Sequence, residues 1–272
     1  MQSGNTRSSD LADQSRLVPA LASLMSEAGA RILELAAKGL RGRSKPDASV
    51  VTDADEAAEA ILRAGIERIL PGIPIVAEEA VAHGNVTAAA DVFFLVDPLD
   101  GTREILAGGS DFTVNVALVS ARAPLLGLVY APAEGVLYAG GEGRALQAKL
   151  PAGSRFTEAD TRPIRARTRP ERLVAVISRS HLDPATDAFV AGLPVTRRVQ
   201  VGSAIKFCRL AEGSADVYPR LSPVHEWDAA AGHALLVAAG GSMAAPDGTP
   251  LVYGCPEKSW RIDGFVAWGA PG

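Results

Sequence analysis

Cysteine is nearly absent: Cys208 and Cys255 are the only two in 272 residues. A fold of this size gains little from one bridge, so two free thiols in a reducing, cytoplasmic compartment is the simplest reading, with a single disulfide as the alternative. Charge of one sign is lacking as well. The 27 Lys and Arg stand against 31 Asp and Glu, for a net charge of -4. That balance gives no general attraction to a nucleic acid polymer or to anionic lipid, so an anionic substrate would have to be drawn in by local groups or metals. Long hydrophobic runs are missing too. Residues Met1 to Asp13 are polar and lack the apolar core of a signal peptide, and the next apolar stretch is broken by Glu27, Arg31 and Glu34; no transmembrane segment is expected. No internal repeat is evident.

What is present suits a globular enzyme. The hydrophobic fraction is 47% and the charged fraction 21%, and the length allows two joined lobes or one large α/β unit. Leu17, Leu21, Leu24, Ala28, Ile32 and Leu35 recur at spacings of three and four, which predicts a helix that ends at Gly39 and the basic loop Arg41 to Pro46. Asp53 and Glu56 have capping-box spacing at the start of a second helix that runs to Ile69. Short β-rich runs follow at 73–77, 92–96, 113–119, 125–130 and 136–139, with no helix between them, which predicts a largely antiparallel sheet. The polar, proline-bearing segment Gly153 to Pro170 is the expected lobe boundary, dividing the chain into residues 1–165 and 166–272. Beyond it, a strand at 173–177 and helices at 184–191, 204–211 and 228–239 predict an α/β second lobe.

The chemistry centres on Asp97-Pro98-Leu99-Asp100-Gly101-Thr102, where a strand delivers two carboxylates to a tight turn. Pro98 fixes one backbone angle and Gly101 permits close backbone approach, so N–H groups at Gly101 and Thr102 could hold phosphate oxygens. Hard oxygen ligands beside an anion cradle favour magnesium. Taken alone, the segment is as readily an ordinary turn. Glu78-Glu79 at the end of an apolar run and Asp228 at the start of an Ala-rich helix are likewise explicable as solvated acids and as a helix N-cap.

Together and in this order, Glu78-Glu79, Asp97 to Thr102 and Trp227-Asp228-x-Ala230-Ala231 resemble the inositol monophosphatase superfamily of magnesium-dependent phosphatases, and the likeness runs through nearly the whole chain. Lys45 to Thr52, Phe112 to Asn115, Ser178 to His181 and Ala211 to Arg220 resemble, within it, the CysQ type of 3'(2'),5'-bisphosphate nucleotidase. Val50 departs from that group's usual proline and Arg103 from its frequent lysine. The resemblance implies a layered αβαβα sandwich of mixed α/β (α+β) type. It implies two or three Mg2+ ions on Glu78, Asp97, Asp100, Asp228 and the Leu99 carbonyl, with water oriented by Glu78 and Thr102 and the Thr102 hydroxyl held by Asp47. It also implies substrate contacts from Leu99, Asp100, Gly101, Thr102, Ser178, His181, Gly202, Lys206 and Asp228, with Lys206 serving a second phosphate. The implied substrate is a small phosphorylated nucleotide, adenosine 3',5'-bisphosphate; an inositol or sugar phosphatase, or a non-catalytic nucleotide-binding protein, are the rivals. A homodimer and peripheral attachment to the inner face of the membrane are compatible with the likeness.

Overall fold

The computed structural model describes residues 14–45, 50–85, 90–180 and 182–272. Asp47 and His181 lie outside these described residues. The first predicted helix is α1 (Gln14–Ala37), whose Leu17, Leu21, Leu24, Ala28 and Ile32 are buried. A two-residue pair of strands, β1 (Arg43–Ser44) and β2 (Val50–Val51), leads to α2 (Asp53–Ile69). The cap is one residue earlier than the sequence suggests. Thr52, not Asp53, is the N-cap: its hydroxyl accepts the Ala54 N–H, and its own N–H donates to Asp55 at 2.8 Å.

Strand β3 (Ile75–Ala77) runs directly into the short α3 (Glu78–Ala82). Then come β4 (Val92–Asp100), α4 (Thr102–Leu106), β5 (Thr113–Ser120), β6 (Ala123–Ala131), β7 (Val136–Gly141), β8 (Arg144–Lys149) and β9 (Thr161–Pro163). The seven strands form one sheet in order β3-β4-β5-β6-β7-β8-β9, parallel only at β3/β4. Strand β4 is buried on both faces, and its side chains alternate accordingly. Phe94 and Val96 pack with α1 and α2, while Phe93 and Leu95 pack on the opposite side. The expected boundary segment supplies β9 to this sheet, which the sequence pattern did not indicate.

The second half contributes β10 (Leu173–Ser178), α5 (Pro184–Ala191), β11 (Val195–Val201), α6 (Ile205–Ala211), β12 (Val217–Arg220), β13 (Val224–His225), α7 (Glu226–Ala238), β14 (Ser242–Ala244), β15 (Arg261–Ile262) and β16 (Phe265–Trp268). A five-stranded sheet has the order β11-β10-β12-β16-β14. Leu173, Ala175 and Ile177 of β10 face Val190 of α5, whereas Val176 joins the core beneath α6. Helices α6 and α7 fill the space between the two sheets, giving the expected αβαβα layering.

Helix α7 packs against β4, β5, β6 and β7 as well as against β14, so the two halves share one core across the 165/166 division. Its small residues allow this. A Cβ on Gly127 of β6 would lie 2.2 Å from the Ala231 carbonyl oxygen, so only glycine permits α7 to seat there. No helix among the described residues is long and apolar enough to cross a membrane.

Candidate active site

Three chain segments converge where the inner layer meets the first sheet. The first is the β3–α3 junction. Ala77, the N-cap of α3, offers no capping side chain, and the buried carboxylate of Glu59 on α2 accepts the N–H groups of Glu79 (2.7 Å) and Ala80 (2.9 Å) instead. That clamp fixes Glu78 in the first turn. Lys45 then reaches in from the preceding loop, its Nζ 2.8 Å from Glu78 and 2.7 Å from Glu79. Burial opposes the charge of Lys45, but the two glutamates more than offset it and raise its pKa above the usual lysine range. Burial and the neighbouring Glu78 push Glu79 up to about 7, against the opposing pull of Lys45.

The second segment is the end of β4. Residues three apart on a regular strand point to opposite faces, yet Asp97 and Asp100 both line the same cavity. The pairing with β5 shows why. Asp97 lies opposite Asn115 and Asp100 opposite Thr113, so β4 carries one extra residue and the resulting bulge turns the second carboxylate inward. Gly101 follows with φ +102°, and a Cβ there would lie 2.9 Å from the Asp111 carbonyl oxygen. The Thr102 hydroxyl, at the start of α4, is within donating reach of Asp55 Oδ1 (3.0 Å) and the Leu99 carbonyl (3.2 Å). The acceptor role expected of Asp47 is thus filled among the described residues by Asp55, in the first turn of α2.

The third segment is the start of α7. The helix begins at Glu226, so Asp228 is its third residue and not its N-cap, and it accepts the His225 N–H at 3.0 Å. The correction follows from Glu226, whose carboxylate is fully buried and holds the Gly254 and Cys255 amides, extending the helix back by two residues.

Carboxylate oxygens of Glu78, Asp97 and Asp228 lie within 4.8 Å of one another. Burial, reinforced by Glu78, Asp100 and Asp228, raises Asp97 well above the normal carboxylate range. Asp228 is raised by burial and then by Asp100 and Glu78. Asp100 is raised by burial, against the opposing pull of Lys206. Like charges crowded out of water hold protons unless a cation joins them. The buried Asn115 amide and Thr113 hydroxyl, opposite these aspartates in the sheet, have no hydrogen-bond partner among the described residues. A set of oxygen donors with orphaned polar groups beside it fits a hard divalent ion.

The surrounding cavity has a volume of about 260 Å³ and is also lined by Leu99, Gly101, Thr102, Ser178 and Lys206, all expected from the sequence. Gly202 is not in the lining; its N–H donates to Asp111 at 3.1 Å. Lys206 is 4% exposed, with burial as the main cause lowering its pKa to about 8, and its Nζ donates to the Ser203 carbonyl at 2.6 Å. Sequence reasoning missed Asp55, Lys45, Tyr218, Arg220 and Arg261. Of these, Asp55 carried a signal: Thr52 and Asp55 have capping-box spacing. Arg220 is the last residue of the Ala211 to Arg220 motif.

The arrangement can neutralise and orient a phosphate beside a cation cluster. Comparison with known proteins agrees. Residues 13–262 match the sequence profile of the inositol monophosphatase family. The chain is 38% identical over 244 residues to 3'(2'),5'-bisphosphate nucleotidase CysQ of Escherichia coli O157:H7, covering 89% of this chain and 95% of that protein. A putative inositol monophosphatase 3 of Drosophila melanogaster is 27% identical, over 84% of this chain and 69% of its own length. Among solved structures, CysQ from Bacteroides thetaiotaomicron superposes with a TM-score of 0.77 at 31% identity, covering 94% of this chain and 98% of that one.

Proposed function

The chain belongs to the inositol monophosphatase family and is a phosphatase, and from that premise we propose a magnesium-dependent 3'(2'),5'-bisphosphate nucleotidase that converts adenosine 3',5'-bisphosphate to AMP and phosphate. Its proposed setting is the cytoplasm, where it would clear the by-product of sulfate activation. The observation that supports this reading is a cavity with two characters, lined both by the carboxylates of Glu78, Asp97, Asp100 and Asp228 and by the basic Lys206, Arg220 and Arg261. A monophosphate needs only the first; a bisphosphate uses both.

Glu78, Asp97, Asp100 and Asp228, with the Leu99 carbonyl, are the proposed magnesium ligands, for two or three ions. When bound, magnesium supplies Lewis-acid polarisation of the phosphoryl oxygens and a more acidic water. The chain's own groups supply orientation. Asp55 takes the Thr102 hydroxyl proton in a hydrogen bond, leaving the Thr102 oxygen lone pairs to accept from the attacking water. Glu78 is the proposed acceptor of the water's other proton. The Gly101 and Thr102 amides hold the scissile phosphate, since phosphoryl transfer leaves the protein mostly positioning and charge stabilisation to perform. Ser178 and His181 are proposed nucleoside contacts.

Substrate profiling with purified protein and magnesium tests the reading. Adenosine 3',5'-bisphosphate should be turned over well above inositol 1-phosphate; the reverse order would sink the nucleotidase assignment and leave the phosphatase one intact. Asp100→Asn should abolish turnover of every substrate.

A further inference from the structure

A phosphomonoester carries about -1.5 to -2 charges near neutral pH, so a second phosphate on the substrate must meet its own cation. Lys206, the residue the sequence offers for this, is turned toward the acids: it is buried, bonded to the Ser203 carbonyl, 5.2 Å from the Tyr218 ring centroid and attracted by Asp100. Arg220 donates its Nε to Ser222 at 3.0 Å. Arg261 differs. It lines the same cavity, is exposed, and its guanidinium has no hydrogen bond or ion pair to any described residue.

The backbone beneath that free head is anchored. Trp260 is 2% exposed and its carbonyl accepts the Glu226 N–H at 2.7 Å. On the other side, Gly264 sits so close to β12 that a Cβ would lie 2.8 Å from the Arg220 carbonyl oxygen. In the β13–β15 pair Arg261 stands opposite His225, which shares its face and whose N–H donates to Asp228. An unpaired fork of donors on a fixed base, beside the acid cluster, is built to grip a planar or tetrahedral oxyanion bidentately with little ordering cost.

We propose that Arg261 is a specificity-determining residue that binds the second, non-scissile phosphate of a nucleoside bisphosphate. The inference rests on the nucleotidase reading and adds a residue to it. The test compares the intact protein with Arg261→Ala and Arg261→Lys, using adenosine 3',5'-bisphosphate and adenosine 3'-monophosphate. In the alanine variant KM for the bisphosphate should rise about tenfold, equivalent to about 1.4 kcal/mol, with kcat within about twofold. Kinetics on the monophosphate should not move, and Arg261→Lys should recover part of the loss. Equal effects on both substrates, or none on either, would overturn the role of Arg261 while the wild-type preference for the bisphosphate still stands. A wild-type protein that hydrolyses neither nucleotide would remove the nucleotidase reading, and this inference with it.

Discussion

Asp55→Asn isolates the orientation of the nucleophile from the stability of the fold. Asp55 is 2% exposed and uses both oxygens: Oδ2 accepts the Thr52 N–H at 2.8 Å and its hydroxyl at 2.6 Å, and Oδ1 faces the Thr102 hydroxyl at 3.0 Å. Asparagine fills the same volume but has only one carbonyl oxygen. Two donors from Thr52 favour that oxygen on the cap side, which turns the amide NH2 toward Thr102. The Thr102 proton then goes to the Leu99 carbonyl, 3.2 Å away, and one Thr102 lone pair is taken by the new donor. Water loses its oriented acceptor, a loss of about 10²- to 10⁴-fold in kcat. The cap keeps its acceptor but loses the acceptor's charge, about 1 kcal/mol, or about 2–4 °C in Tm for a chain of this size. Phosphate release at saturating magnesium and substrate, run beside thermal melts, reads both numbers. A variant within about threefold of wild-type kcat would refute the role of Asp55.

Gly127→Ala places a methyl 2.2 Å from the Ala231 carbonyl oxygen, so α7 must shift; urea unfolding should show a loss of about 3 kcal/mol or more. Lys45→Met leaves Glu78 and Glu79 without their buried cation, and the magnesium-free protein should lose about 3 kcal/mol, with a smaller loss when magnesium is present, as followed by melts in both states. Glu79, raised to about 7, and the raised Asp97, Asp100 and Asp228 favour the metal-free fold below the ordinary carboxylate pKa of about 4, and that contribution fades as pH climbs through their folded values. With the proposed magnesium held by the ionised carboxylates, its effect on Tm should grow between pH 5 and 8; an effect that stays flat or shrinks would contradict the burial-driven shifts.

The parts of the fold that were legible in the sequence are those whose own periodicity carries the information. Helix α1 announces itself through apolar residues at helical spacing, and β4 to β7 through short β-rich runs between turn residues. Strand β11 does not, because Thr196, Arg197, Arg198 and Gln200 make it polar; it sits at a sheet edge with only one neighbour, β10. Strand β9 is three residues long and exists because β8 offers a free edge to pair with. The bulge in β4 was also invisible. Only the pairing with β5 reveals the extra residue that brings Asp100 to the same side as Asp97.

The division of labour among the acids depends most on tertiary context. Buried Asp97 converges with the half-buried Glu78 and Asp228, whereas Asp55, Glu59 and Glu226 are all buried and serve the backbone. Glu59 replaces the missing cap of α3, and Glu226 closes residues 254 and 255 onto α7. Asp55 caps α2 and holds Thr102. A carboxylate that accepts two or more N–H or O–H groups is satisfied without a metal, whereas Asp97 accepts one among the described residues, from Leu99, and faces other acids. Partner count therefore separates clamp from ligand. The clamps also explain how the proposed ligands hold position against their mutual repulsion: Glu59 fixes the turn that carries Glu78, and Glu226 fixes the helix that carries Asp228. Removing one clamp should thus weaken metal binding at a residue it never touches, because the repelling carboxylates would then be free to separate.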